Sequence, residues 1–231
     1  MLNSLIKEIQ AEANPEQAKI LQRFFKTGQG EYGEGYIFLG IKVPVIRILA
    51  KKYNDLLLDD IQTLLASKIQ EYQQIGLHIL INKYEKAEDK KEIFEFYLIN
   101  TKNINSWGLV DLSAPKIVGD FLLDKERNKL YELANSENLW EKRIAIVSTW
   151  RFIRENEFED TLKISEILLN DSHDLIHKAV GWMLREVGKK DVEVLEKFLS
   201  EHYKKMPRTM LRYSIEKFDG EKRKKYLKGE I

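Results

Sequence analysis

Apolar residues recur at spacings of three and four along almost the whole chain, and no stretch alternates apolar with polar at period two. Leu2, Leu5, Ile6 and Ile9 open the pattern, and Ile20, Leu21, Phe24 and Phe25 continue it beyond an Asn14-Pro15 step that reads as a helix N-cap followed by proline at the first helical position. Further helices are predicted from Pro44, over 57–65, from 69 to 84, over 93–99, 117–123 and 130–134, and then over 139–153, 158–169, 175–187 and 192–199. A short one starting near Trp107 should stop before Pro115. Residues 139–153 are apolar on most sides, as in a helix surrounded by others. A final basic pair begins at Met206-Pro207, and the Gly-rich segment 27–36 is the longest loop. Successive pairs recur at roughly 35–45 residues, the spacing of HEAT and armadillo arrays. The expected fold is therefore all-α, a curved solenoid of antiparallel helix pairs forming one domain over residues 1–231, with a globular helical bundle as the second choice.

Composition narrows the function. The chain lacks cysteine, which removes disulfides, Cys-ligated zinc and iron–sulfur clusters and fits a reducing cytosol. The N-terminus has no signal-peptide pattern, and the apolar runs are too short to span a bilayer, so a soluble cytoplasmic protein with no membrane partner is expected. Formal net charge is only +1, so any phosphate-binding surface must be local. The segment 195–231, with 11 Lys/Arg against 6 Asp/Glu, is one place for it, or simply a solvated tail.

Familiar catalytic fingerprints are missing. Neither phosphate-binding glycine motif is present, and the glycines at 28, 30, 33 and 35 match no such spacing. HExxH and GxSxG are absent. His173 and His177 are four apart but lack a third ligand, so they read as a helix start and no metal is expected.

Three constellations are left. Trp107 and Asp111 are four apart, on one helix face. Asp is a poor helix-interior residue and Trp is costly to expose; the structural alternative is that Trp107 packs inside while Asp111 caps a neighbour. Lys178, Trp182, Arg185 and Lys189 fall at i, i+4, i+7 and i+11, a basic stripe with an aromatic in it, opposite a core face of Ala179, Val180, Met183, Leu184 and Val187. Such a stripe suits phosphate contact with packing against base or sugar, or is a solvated face with Trp182 half-buried. Arg143 and Arg154 lie on one line of the helical stretch WEKRIAIVSTWRFIRE (140–155), where two exposed cations are expected. Arg143 suits a bidentate phosphate grip, or an ion pair with the next repeat.

At these residues the chain resembles the AlkD-type DNA alkylation repair family, alkylpurine DNA glycosylases built of HEAT-like repeats. The resemblance runs from about residue 15 to 215 and is carried by FLGIKVP (38–44), SWGLVDLSAPKIVGDFL (106–122), NLWEKRIAIVSTW (138–150) and IHKAVGWMLREVGK (176–189). It implies that Trp107 and Trp182 are the two cleft tryptophans that contact lesion and sugar. It implies further that Asp111 is the catalytic carboxylate, Arg143 the phosphate-gripping arginine and Arg185 a further DNA contact; the stripe adds Lys178 and Lys189 as neighbouring phosphate contacts. An aromatic near Phe24 would face DNA as well. The family reads W-D-x-V-D where this chain has Gly108 in place of the first acid.

The activity so implied is excision of purines made cationic by alkylation at N3 or N7, such as 3-methyladenine and 7-methylguanine, from double-stranded DNA without cofactor; the low Gly/Pro content and the absence of long apolar patches favour a monomer. Such a base leaves neutral, so little acid assistance is needed and one carboxylate suffices to stabilise the oxocarbenium-like sugar and orient water. The resemblance also implies excision without a deep base-flipping pocket. Two other functions fit the same helices: a non-catalytic DNA binder indifferent to Asp111, and a protein-interaction scaffold.

Overall fold

Why helices start where they do is visible residue by residue in a computed structural model that describes residues 1–231. The Asn14 side chain accepts from the Gln17 amide at 3.0 Å, with Pro15 at the first position of Pro15–Phe24, as its sequence asks. Asp191 is the only residue between Asp174–Lys190 and Val192–His202, and its carboxylate takes the amides of Glu193 and Val194 at 3.0 and 3.1 Å. The turn between these two packed helices is thereby also the cap of the second. Every ordered element is helical. The sole β feature is one isolated parallel bridge between Ile37 and Ile69.

The chain divides into two compact units, Met1–Ser113 and Ala114–Ile231. In the first, Gln70–Lys86 is the central helix, and Val43–Lys52 and Leu58–Leu65 pack on it. Ile75, Leu77, Ile79 and Leu80 are fully buried. In the second, Asp174–Lys190 plays that part, packed by Leu139–Ser148, Val192–His202 and Arg208–Ser214. Its expected core face is present: Ala179, Val180, Met183, Leu184 and Val187 have no exposed surface. Gly181 lets Arg208–Ser214 approach, since a Cβ there would lie 2.5 Å from the Met210 carbonyl oxygen.

Two helix ends differ from the sequence pattern. Trp107–Ala114 does not stop before Pro115. It continues through a π-helical turn, Pro115–Gly119, into Asp120–Leu122. In that turn the Asp120 amide donates to the Pro115 carbonyl, and the wider winding accommodates a proline that would clash in a regular α-turn. The 139–153 stretch, expected as one helix, breaks after Ser148 and resumes as Trp150–Arg154. The hydroxyls of Ser148 and Thr149 bond back to the carbonyls of Ile144 and Ile146 at 2.6 and 2.7 Å, a pattern that bends helices.

Candidate nucleic-acid interface

In the first unit the decisive geometry surrounds the start of the Trp107 helix. A buried polar network fixes the loop before it. Gln73 donates to the carbonyls of Leu65 and Asn103 at 3.2 and 3.0 Å, and Gln70 donates to Gln73 at 2.7 Å. Facing this, Glu71 is 2% exposed, and its carboxylate accepts the amides of Leu39, Gly40 and Ile41 at 2.9, 2.8 and 3.3 Å. Those consecutive amides belong to the irregular segment 38–42 and have no helical partner, so a charged acceptor takes their place. Gly40 is required there: its φ is +83° and a Cβ would lie 2.1 Å from the Asn14 carbonyl oxygen.

Because that segment is fixed, the aromatics before it have defined places. Trp107 is half-buried and stacks on Phe25 with ring centres 4.8 Å apart and planes within 13°. Phe24 meets the same indole edge-on at 5.5 Å, although 62% of its own surface is exposed. Phe38 backs Phe25 at 4.9 Å, and the indole Nε1 donates to the Tyr32 hydroxyl at 3.3 Å. The result is an aromatic wall whose outer member, Phe24, faces solvent. Trp107 is a wall member rather than a core residue.

Asp111 is half-buried one turn along from Trp107. Behind it Tyr97 is fully buried and shares a 2.9 Å hydrogen bond with Ser113. Burial pushes the Tyr97 phenol well above its usual range, against the pull of Ser113, and the Asp111 charge pushes the same way. Nearby Tyr36, bonded to the Asn105 carbonyl, is raised by burial too. The carboxylate therefore stands beside a phenol that stays protonated.

In the second unit the basic stripe is present but neutralised within the chain. Lys178 pairs with Asp174 at 2.7 Å. Lys189 pairs with Glu186 at 2.7 Å, Arg185 lies 3.5 Å from the same carboxylate, and Arg185 also pairs with Glu216. Trp182 is half-buried and donates its Nε1 to Glu186 at 3.1 Å. Glu186 thus ties together three of the four stripe residues, and sequence spacing alone did not draw attention to it.

Arg143 corrects the expectation of an exposed cation. It is 4% exposed and donates Nη1 to the Leu175 carbonyl at 2.6 Å. Its helix is apolar on nearly every side, so a long side chain there has only the interior to enter and uses its guanidinium on a helix-start carbonyl. Arg154 is exposed as expected and lies 5.2 Å from the Trp150 ring centre. The His173 and His177 pair is the expected helix start. His173 Nδ1 accepts from the Leu175 amide at 3.1 Å, and His177 Nε2 lies 2.5 Å from the Asp171 carbonyl oxygen. No group of three or more His, Asp or Glu side chains gathers as a metal cluster would.

Helix pairs without a sheet, an aromatic wall beside one carboxylate, and cations along a second helix define the class: a helical-repeat protein with features suited to DNA. Residues 5–218 match the family described as DNA alkylation repair enzyme, and the chain belongs to that family. A solved structure, "Predicted DNA alkylation repair enzyme from Enterococcus faecalis", superposes with a TM-score of 0.73 at 18% identity, covering 90% of this chain and 98% of that one. At that identity it establishes the shared all-helical fold. No curated protein matches the sequence. Membership assigns the chain to DNA alkylation repair and implies DNA as its substrate. No helix is long and apolar enough to cross a membrane.

Proposed function

We propose that the protein is a DNA glycosylase for purines carrying a positive charge from alkylation at N3 or N7. The observation that carries this reading is Asp111, half-buried one helical turn from a tryptophan held in an aromatic wall. As the glycosidic bond breaks, positive charge moves from the base onto the sugar, and a fixed carboxylate stabilises that charge. Trp107 and Phe24 offer flat apolar surface to sugar and backbone, and their ring faces favour a cation. Asp111 also orients the water that captures the sugar. On the second unit, Trp182 packs against the duplex backbone while Lys178, Arg185 and Lys189 exchange their carboxylate partners for phosphates. In this reading Arg143 supports that surface from within, by holding the carbonyl at the start of the Trp182 helix.

The test is release of 7-methylguanine and 3-methyladenine from methylated duplex DNA under single-turnover conditions. Wild type should release both and Asp111→Asn should release neither at a comparable rate. Absence of release by wild type at enzyme excess would overturn the glycosylase reading. Gly108, standing where the family has the first acid of its W-D-x-V-D motif, favours one alternative, a non-catalytic DNA binder. That alternative predicts salt-sensitive duplex binding unchanged in Asp111→Asn.

A further inference from the structure

Three helices end in the same turn, and one of them places an unusual residue in it. In each turn one amide bonds back three residues and the next bonds back five. Lys26 bonds to Arg23 and Thr27 to Gln22, Asn156 to Ile153 and Glu157 to Phe152, and Gly229 to Tyr226 and Glu230 to Lys225, all at 3.0–3.2 Å. The first residue of each pair has a left-handed backbone, with φ of +51°, +63° and +75° at Lys26, Asn156 and Gly229. Glycine and asparagine are what such a turn ordinarily takes, so positions 229 and 156 need no further reason. Lys26 does. It forgoes the backbone ease of glycine, and what it adds is a cationic side chain. Its main chain is fixed on the other side as well, because its carbonyl accepts from the Gly33 amide at 3.1 Å.

The Lys26 side chain is exposed and pairs with nothing in the chain, and the same holds for Arg23, three residues earlier in the last turn of Pro15–Phe24. Acids close in sequence are engaged elsewhere. Glu16 pairs with Lys19 at 3.0 Å, and the Glu31 and Glu34 carboxylates accept the Gly28 and Gly30 amides at 2.8 and 2.9 Å. Between Arg23 and Lys26 stand Phe24 and Phe25, the two rings that meet the Trp107 indole. The negative end of this helix favours a cation nearby, and Arg23 satisfies it without a left-handed backbone. We propose that Arg23 and Lys26 are the phosphate grip of the first unit, binding the backbone of duplex DNA beside the aromatic wall. Phosphates flank every sugar, so a ring that packs on a sugar has phosphates to either side, where cations next to it in the chain can reach them. Unlike Lys178, Arg185 and Lys189, these two have no carboxylate partner to give up first. The proposal rests on the reading of the Trp107 wall as DNA-facing and adds to it the residues that hold the duplex there.

The experiment measures affinity of the full-length protein for a DNA duplex across a range of salt, for wild type, Arg23→Gln, Lys26→Gln, Lys26→Gly and, as control, Lys19→Gln. Arg23→Gln and Lys26→Gln should each flatten the slope of log affinity against log salt by about 0.9 and weaken binding several-fold at about 0.1 M salt, the share of one phosphate contact. Lys19→Gln removes a cation already paired with Glu16 and should leave the slope unchanged. Lys26→Gly should lose as much affinity as Lys26→Gln while melting no lower than wild type, because glycine suits the turn. A lysine serving only the helix end would show the reverse, a lower melting temperature with unchanged affinity, and that result would overturn the assignment of Lys26. Duplex binding whose slope is the same in wild type and both glutamine variants would overturn the grip alone. So would retention on phosphatidylglycerol vesicles that needs the two residues when duplex binding does not. Failure of wild type to bind any duplex would instead overturn the DNA-facing reading of the wall, and the grip with it.

Discussion

The Trp107 helix and the Trp182 helix carry the same short pattern, a tryptophan followed one turn later by a carboxylate, and the two carboxylates have opposite fates. Glu186 accepts from the Trp182 indole at 3.1 Å and pairs with Lys189 at 2.7 Å. In the first unit the Trp107 indole is turned away, stacked on Phe25 and bonded to the Tyr32 hydroxyl. Its carboxylate, Asp111, stands near the buried Tyr97 phenol instead. A carboxylate that orients an indole and neutralises lysine and arginine is a structural element. The other carboxylate stands beside an aromatic wall whose indole bonds the Tyr32 hydroxyl, and in the proposed function it meets charge arriving from outside. Spacing cannot distinguish the two; the partner given to the indole does.

The sharpest way to break this comparison is to neutralise both carboxylates separately. Asp111→Asn should lower the excision rate by about 10²–10³-fold, the usual cost of removing one preorganised charge-stabilising group. Glu186→Gln keeps an acceptor for the indole and should alter the rate by no more than a few-fold. Single-turnover release of 7-methylguanine, with thermal melts as the folding control, reads both. Equal losses from the two variants would show that the two tryptophan–carboxylate pairs are functionally alike, contrary to their geometry.

What the sequence could show follows the same division. Periodicity located most helices, the Asn14-Pro15 start and the buried face opposite Trp182, because each depends on residues within a few positions of one another. The aromatic wall was largely hidden. Phe25, Tyr32 and Phe38 lie in or beside the irregular segment 25–42, where no period applies, and the acid that fixes its end, Glu71, is about thirty residues further on. A local cue existed in the FLGIKVP run, whose consecutive amides had no helix to satisfy them. The neutralised stripe was hidden for a similar reason, since Glu216 is 31 residues from Arg185. Arg143 was misplaced despite good information: a helix apolar on most sides buries its cations as well.

Arg143 therefore supplies the next test, on the second unit. Arg143→Ala removes a buried charged donor to the Leu175 carbonyl and the packing of its long side chain, and should cost about 1–3 kcal/mol of unfolding free energy, read by denaturant titration. A variant as stable as wild type that fails to bind DNA would restore Arg143 to the phosphate-gripping role and remove the contrast between inner support and outer stripe. Smaller still is the effect of freeing Arg185. Glu216→Gln removes a half-exposed partner, so stability should change by less than about 1 kcal/mol. Duplex affinity at low salt should rise a few-fold, and the slope of log affinity against log salt should steepen by about one. An unchanged slope would mean that Arg185 does not reach phosphate.

The smallest effect separates the starts of the two helices. The Trp107 helix starts after Ser106, which does not titrate, whereas the Trp182 helix is capped by His173. Burial holds the His173 imidazole below its ordinary value of 6.5, against the pull of Asp171 and Asp174, so the folded chain favours the neutral ring that accepts from Leu175. As pH falls through 6.5 the unfolded chain takes up this proton before the folded chain does. Stability should consequently decline from about pH 7 downward and level off below the folded-state value. Asp171 and Asp174 are held below their ordinary 3.8, burial notwithstanding, by hydrogen bonds from the His173 amide and Lys142 and from Lys178. Their contribution is present above 3.8 and is lost only at lower pH, outside the histidine window. His173→Asn preserves a capping acceptor and removes the titration. Melting temperatures between pH 5 and 7.5 should therefore fall less in the variant than in wild type. Parallel curves would show that the cap stays neutral throughout this range and that both helix starts are insensitive to pH.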